Sequence, residues 1–417
     1  MKIFNKNEWK KVKLGDVCDL RNGVAIKSED YILNSNTLNC RMSNIRPDGT
    51  FDILYNAKYL PDNFSEKYKN YLLKNGDLVI AMTDMAGDPK ILGVPTVVKS
   101  NGFNIIQNQR VGKLELLTDN IDENYLKFAL QSKNVKNYFK KFSAGGVQLN
   151  LSKKEILNAP IVLPTIEEQK ILVNLFKTIE SFIYLRKKEL LNLNSLNKSL
   201  FNSQIRPYIK EVEIKKLGDI IEVKSSKRVF LHELSKNGIP FYRGTEIAKL
   251  SRGENVESNL FISEDLYQNF KKISDVPKIG DLLLPSICNN GEIWYVNKTN
   301  PFYFKDGRVL WLKLNKNING KYLQYYLIEK FRQDYSKIAS GTTFSELKIV
   351  TLKNLLLPVP PIELQNKFAE RIEKIEKLSF EIEEAIKEAE NLYNSLISKY
   401  FDWYPKKLSF RYSRVGA

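Results

Sequence analysis

Histidine is almost absent: His232 is the only one in 417 residues. Mechanisms built on Ser–His–Asp, on Cys–His or on histidine-ligated metal are therefore nearly closed, and the polar stretch around His232 suits a solvated ring. Cysteine is scarce as well. Cys18, Cys40 and Cys288 are odd in number, widely spaced and without a C-x-x-C, which excludes a disulfide framework and a cysteine-rich zinc site and fits a reducing compartment. No apolar run approaches the ~18–20 residues of a membrane span, and Met1-Lys2-Ile3-Phe4-Asn5-Lys6 leads into no signal-peptide core. The expectation is a soluble, cytoplasmic protein with no membrane partner. Neither a G-x-x-x-x-G-K-[ST] phosphate loop nor a G-x-G-x-x-G turn occurs. Most carboxylates lie in Lys-interleaved runs that read as solvated faces, so the sequence offers no catalytic residue and no metal ligand set.

What is present in excess is positive charge. Lys and Arg outnumber Asp and Glu by 65 to 48, a net +17. Such a surplus points to a polyanionic partner, most commonly nucleic acid; a uniformly Lys-rich proteome is the plainer explanation. The length suits two to three domains, and 43% hydrophobic residues are enough for sizeable cores.

The two halves repeat each other in order. Lys13-Leu14-Gly15-Asp16-Val17 returns as Lys216-Leu217-Gly218-Asp219-Ile220, Cys40-Arg41 as Tyr242-Arg243, and Gly76-Asp77-Leu78 as Gly280-Asp281-Leu282. Arg110-Val111 then matches Arg308-Val309 at a smaller offset, which places six extra residues of the first half in or near Met82 to Leu92. Pro164-Thr165-Ile166-Glu167-Glu168-Gln169 matches Pro360-Pro361-Ile362-Glu363-Leu364-Gln365 without a gap. The recurring Asp16/Asp219 and Asp77/Asp281 follow glycines and read as turn or cap residues. Gly145-Gly146 and Gly341 read as backbone turns.

Each half opens with an α+β domain of short strands and turns. Val94–Val98 and Leu310–Leu314 read as strands; Tyr125–Leu130 and Tyr322–Leu327 read as short helices. A long helix follows in each half, about 165–204 and 361–400. Leu172, Phe176, Ile179, Ile183, Leu190, Leu193 and Leu200, and in the other helix Phe368, Ile372, Ile375, Ile382, Ile386, Ala389, Tyr393 and Leu396, step by threes and fours. That is a coiled-coil seam, interrupted by Arg186, Asn197 and Ser379. Thr165 and Glu168 form a capping box, Arg206-Pro207 stops the first helix, and the second helix lacks the box. Residues 167–204 carry +2 and residues 363–400 carry −3. The helices are thus suited to pairing with each other, and +18 is left for the rest of the chain. An antiparallel pair would relate the repeats by a pseudo-twofold axis, as in dimeric DNA readers, and helices of ~35 residues span roughly 50 Å.

Trp9 with Lys13-Leu14-Gly15-Asp16-Val17, then Gly76-Asp77-Leu78, then Gly146-Val147-Gln148-Leu149-Asn150-Leu151-Ser152 come in sequence. The doubled Leu163-Pro164-Thr165-Ile166-Glu167-Glu168-Gln169 and Val359-Pro360-Pro361-Ile362-Glu363-Leu364-Gln365 complete the pattern. In this order the chain resembles the specificity (S) subunit of a type I restriction–modification system over nearly its whole length. The second half departs from the pattern in having Leu364 for Glu168 and Thr343-Phe344-Ser345-Glu346 for Val147-Gln148-Leu149-Asn150. The resemblance implies a first target-recognition domain (1–163), a spacer helix (164–206), a second recognition domain (207–358), a second spacer helix (359–401) and a basic tail (402–417), with the helices paired as an antiparallel coiled coil. It implies a non-catalytic subunit whose domains each read half of a bipartite double-stranded DNA target. The helices would set the spacing and recruit two modification (methyltransferase) subunits. S-adenosylmethionine would be bound there, for adenine-N6 methylation, while restriction subunits would bring ATP and Mg. The partner's Asn/Asp-Pro-Pro-Tyr/Phe motif is absent from this chain, and extruding and methylating an adenine needs that pocket.

The candidate DNA contacts are Arg21, Lys27, Arg41, Arg46 and Arg110 in the first half, and Lys227, Arg228, Arg243, Arg252 and Arg308 in the second. Arg41 and Arg243 hold the same place in both repeats. Arginine reads guanine bidentately and also contacts phosphate; a solvated surface charge is the alternative for each residue, and a structural role for Arg110 and Arg308, which read as opening a strand. Two other functions fit the composition: a self-contained methyltransferase or nuclease with unfamiliar motifs, and a coiled-coil adaptor whose basic domains bind RNA or protein.

Overall fold

The computed structural model describes residues 4, 6–142, 148–208, 212–288, 291–339 and 346–402. Gly145, Gly146, Gly341, the start of the 146–152 motif, Thr343–Ser345 and the basic tail after Asp402 lie outside them. The chain forms two compact units, Met1–Lys187 with Glu384–Ala417, and Lys188–Glu383. Both long helices therefore contribute a stretch to each unit.

In the first unit the strands Cys18–Asn22, Val111–Leu116, Leu78–Ala81 and Pro95–Val97 lie side by side in that order, all antiparallel. Period-two alternation sorts their side chains onto two faces. Leu20, Leu78, Ile80 and Leu114 face a core shared with Leu172, Phe176, Leu396 and Phe401 of the long helices. Val79, Ala81 and Val111 face a second core with Leu38, Cys40 and Ile105. Those last residues come from a second sheet, Tyr59–Leu60, Thr37–Cys40, Asn104–Gln107 and Leu72–Leu73, whose central pair is parallel. The layers are helix, sheet, sheet. Lys10–Lys13 pairs with Pro160–Leu163 below them.

The second unit repeats this plan. Glu222–Lys224, Val309–Lys313, Leu282–Pro285 and Trp294–Tyr295 form the helix-backed sheet. Leu234–Ser235, Phe261–Ile262, Ile239–Tyr242 and Tyr303–Phe304 form the outer one, again with a parallel pair. Leu78 pairs with Val97 in the first unit and Leu282 with Tyr295 in the second, which puts the six extra residues in this connection. The strand Thr83–Met85, which pairs with Gln148–Asn150, lies in the same connection. The expected strands are present as Pro95–Val97 and Val309–Lys313. The helix expected at Tyr125–Leu130 spans Glu123–Ala129. Its counterpart is longer than expected, Gly320–Ile338, because Tyr322, Leu323, Leu327 and Phe331 keep one buried stripe. In the first unit Ser132 caps a new helix, Lys133–Lys140, and breaks the run.

The long helices span Ile166–Leu200 and Ile362–Phe401. The first ends in a wider π turn, Phe201–Ile205, just before Pro207. In the first unit they are antiparallel: Phe176 meets Phe401 at 5.6 Å and Tyr393 at 5.4 Å, and Lys187 reaches back to Glu390 at 2.8 Å. In the second unit Phe201 of the first helix meets Phe368 of the other at 6.0 Å. The seam is buried at Leu172, Phe176, Ile179, Phe368, Ile372, Ile382 and Ile386, and half-buried at Ile183, Leu190, Leu193 and Leu200. The interrupting Arg186, Asn197 and Ser379 are half-buried too.

Gln169 and Gln365 fasten each helix to its domain. Both are fully buried. The Gln169 amide donates to Pro164 O and Asn120 O and accepts from Asp122 N, and Asp122 caps Glu123–Ala129. Gln365 donates to Pro360 O and accepts from Asn319 N, and Asn319 caps Gly320–Ile338. A buried amide with both ends paired is a rigid link. This is the physical content of the recurring Pro-x-Ile-Glu-x-Gln.

Candidate nucleic-acid interface

In the first unit the parallel strands Thr37–Cys40 and Asn104–Gln107 end together. Asn108 N donates to Cys40 O at 3.1 Å, and Val24 bridges Asn108 from the other side. Gly23 makes this approach possible, since a Cβ there would lie 2.3 Å from Asn108 O. Arg41 follows the first strand and Arg110 follows Asn108, so both are at this end. Arg41 N donates to Asn44 Oδ1 at 2.8 Å, and the Asn44 amide ties down Asp52, Ile53 and Tyr55 carbonyls. Arg110 N donates to Asn108 Oδ1 at 3.1 Å, and Arg110 O accepts from Met82 N. Among the described residues neither guanidinium makes a hydrogen bond or ion pair.

The second unit builds the same end from Ile239–Tyr242 and Tyr303–Phe304, with Lys305 N donating to Tyr242 O at 2.8 Å. An ideal Cβ on Gly244 would lie 3.6 Å from Arg308 O, so the backbones at Arg243 and Arg308 are close. The Ser225–Lys227 loop joins them: Ser226 Oγ donates to Phe304 O at 2.7 Å and Lys227 N to the Tyr303 hydroxyl at 2.9 Å. Here the arginines are paired. Glu246 takes the Arg243 guanidinium through Nε at 3.2 Å and Nη2 at 2.9 Å, and also accepts from Arg243 N at 2.9 Å. Burial alone would push the Glu246 carboxyl up, but these bonds and one from Thr245 overcome it and hold it at about 2. Arg308 pairs with Glu346.

The structure therefore brings together Arg41 with Arg110, and Lys227 with Arg243 and Arg308. Arg110 and Arg308 stand just before their strands and are exposed. The other candidates are placed differently. Arg21, a candidate DNA contact, is in the strand Cys18–Asn22. Its donors go to Gln107 Oε1, Asn70 O and Leu72 O, so it braces one sheet against the other. Lys224, at the matched place in the second unit, donates instead to Ser274 O at 2.8 Å, at the end of the helix Glu264–Ser274. Arg46 lies 3.6 Å over the Tyr55 ring. Lys27 is exposed beside Glu29, Arg228 sits over Phe230, and Arg252 pairs with Glu254 at 2.6 Å. His232 is exposed and stacks on Phe230. Sequence reading missed Asn44, Glu246 and Glu346. The signal for the first two was there, as Arg-x-x-Asn and Arg-x-x-Glu at matched positions.

The recurring aspartates are caps and turn anchors: Asp16 accepts from Lys13 N, Asp77 from Lys74 N and Asp281 from Lys278 N. Gly76 and Gly280 before them have φ of +99° and +98°, a left-handed conformation that glycine adopts freely. Asp219 lies in the first turn of Leu217–Ile220. The three thiols are buried; burial pushes Cys18 and Cys40 up to about 12 and Cys288 higher still, which suppresses thiolate. Among the described residues no cluster of His, Cys, Asp and Glu could hold a metal ion, and no helix is long and apolar enough to cross a membrane.

Comparison with known proteins matches this doubled architecture. The family model for the type I restriction modification DNA specificity domain matches twice, over residues 6–195 and 209–390. The MjaVIII type I restriction enzyme specificity subunit of Methanocaldococcus jannaschii is 29% identical over 212 residues, 48% of this chain and 48% of that protein. The match thus spans about half of that relative's length. A putative MjaX type I restriction enzyme specificity subunit of the same organism is 22% identical over 89% of this chain and 87% of its own. The type I restriction–modification S subunit from M. genitalium superposes with a TM-score of 0.57 at 15% identity, covering 97% of this chain and 99% of that one. A chain solved in work on complex assembly and conformational transition of the type I R-M system gives 0.52 at 15% identity, over 96% and 98%. Two domain matches in tandem, on two units of one plan, make this chain a member of the type I restriction–modification DNA specificity family, a specificity subunit with two recognition domains.

Proposed function

We propose that each unit reads one half of a bipartite double-stranded DNA target through the strand end that carries Arg41 and Arg110, or Lys227, Arg243 and Arg308. The observation that carries this reading is the recurrence of one arginine-bearing end in both units, on matching backbone bonds. Lys27, Arg46, Arg228 and Arg252 are flanking contacts on the same reading; Arg21 supports the fold. The paired helices set the distance between half-sites. They also recruit two modification subunits, and the neighbour solved in work on complex assembly supports partner subunits. Catalysis belongs to those partners, with S-adenosylmethionine on the methylating subunits and ATP and Mg on restriction subunits, acting on DNA in the cytoplasm.

The test is to assemble the chain with its modification subunits and map methylated adenines. Exchanging residues 15–160 for another recognition domain changes one half-site and leaves the other as it was. Methyl transfer by the chain alone would overturn the non-catalytic reading, and a wholesale change of both half-sites would overturn the division of labour.

A further inference from the structure

The two strand ends share a backbone but differ in charge at two matched places. Asn44 and Glu246 each stand three residues after the arginine and each accept its backbone N–H, at 2.8 and 2.9 Å. Asn150 and Glu346 are matched as well. The next residue donates to the segment beside the second arginine, Leu151 N to Met82 O and Leu347 N to Ser286 O, while Met82 N and Ser286 N donate to Arg110 O and Arg308 O. At both places an amide in the first unit is a carboxylate in the second. Asn150 Oδ1 accepts from Thr83 Oγ1 at 2.9 Å, whereas Glu346 takes Arg308.

Resting on the DNA-reading assignment above, we propose that the two domains read by different means. The second presents Arg243 and Arg308 as base-edge readers held in orientation by the positioning residues Glu246 and Glu346. The first uses Arg41 and Arg110 as mobile cations that anchor its strand end on phosphate, and leaves base reading there to the other groups of that end. Glu246 occupies the Nε–Nη2 edge of Arg243, and the other edge keeps parallel N–H donors, the arrangement that meets guanine O6 and N7. A neighbouring carboxylate also repels phosphate, so the second domain trades non-specific attraction for discrimination. Among the described residues no carboxylate pairs with Arg41 or Arg110.

The test uses the full chain and two probes: a duplex of random sequence titrated over a salt series, and selection from a randomised duplex pool. Glu246→Gln keeps the backbone cap and removes the charge. It is expected to flatten base preference at one position of the second half-site by roughly tenfold. It should also tighten binding to the random duplex several-fold and steepen its salt dependence. Misfolding would weaken binding, so the gain separates orientation from damage. Asn44→Glu is expected to do the reverse in the first domain, lowering random-duplex affinity. Unchanged base preference and affinity in Glu246→Gln overturn the proposal, provided Arg243→Ala changes either readout. If Arg243→Ala is silent in both, this end does not face DNA and the reading beneath fails as well.

Discussion

The two units settle one buried aspartate in two ways. Asp77 and Asp281 follow the same left-handed glycine and close the same turn. In the first unit Asp77 holds Lys113 at 2.9 Å, with both side chains mostly buried. In the second the matched residue is Trp311, fully buried, whose indole N–H donates to Asp281 at 2.9 Å, while Leu314 N donates to the other oxygen. One solution is an ion pair that keeps Glu115 in reach at 4.0 Å; the other replaces the cation by an uncharged indole donor, with its large ring buried beside the carboxyl. The backbone is kept and the chemistry around it is free to vary. The same contrast recurs at Asn44 and Glu246, and in the seam, where Leu172 and Phe176 match Phe368 and Ile372 and the ring moves one turn.

The seam gives the largest expected effect. Phe176 stacks on Phe128 at 4.9 Å and meets Tyr393 and Phe401; Phe368 meets Phe201 and Tyr325. Phe176→Ala and Phe368→Ala should each cost about 3–5 kcal/mol. Hydrogen exchange should locate each loss, with Phe176→Ala accelerating the strand Leu78–Ala81 by roughly a hundredfold or more and leaving Leu282–Pro285 nearly unchanged. Equal acceleration in both strands would show that the two cores do not respond separately.

Next is the aspartate. Asp281→Ala strands a buried indole N–H and two backbone donors, about 2–4 kcal/mol. Asp77→Ala frees Lys113, which can turn to Glu115, so only Lys74 N is left without its partner and the cost should be roughly 1–2 kcal/mol. Urea denaturation of the two variants measures the difference, and a reversed order would refute the contrast drawn between ion pair and indole.

A smaller difference is expected in acid. The Glu246 carboxyl is held at about 2, below the ~4.3 of an unfolded glutamate. Its pairing with Arg243 therefore stabilises the second unit fully above about pH 4.5 and is lost as pH falls towards 2. Neutral Asn44 gives the first unit no such dependence. Glu246→Gln should flatten the acid limb of the second unit's stability and leave the first unit's unchanged; an unaltered profile in the variant would sink the assignment.

The duplication, the helix seam and the first capping box were legible because each is written in one stretch of sequence with a fixed period. The sheets were less so. Their strands are two to six residues long, and the outer sheet's central pair joins Thr37–Cys40 to Asn104–Gln107 across the length of the domain. The arginines were legible as candidates by position, but not by role. Arg21 was lost to a brace through Asn70 and Leu72, and Glu346 reaches Arg308 from 38 residues away, beyond any local pattern.

The smallest expected effect separates the two helix starts. Thr165 Oγ1 accepts from Glu168 N at 3.3 Å and Glu168 Oε2 accepts from Thr165 N at 3.1 Å, the box expected from sequence. The second start has Pro361, which has no N–H to satisfy, and its carbonyl accepts from Leu364 N at 2.9 Å. Leu364 packs against the second core. A glutamate there would lose apolar contact, which is why the second repeat departs from the motif. Thr165→Ala should therefore cost about 0.5–1 kcal/mol, read by thermal melting. Grafting the box as Pro361→Thr with Leu364→Glu should bring no gain, since the two cap bonds are set against a lost fixed φ and a lost contact. A clear stabilisation by the graft would mean that Leu364 is not held by packing and that the proline start is the poorer of the two.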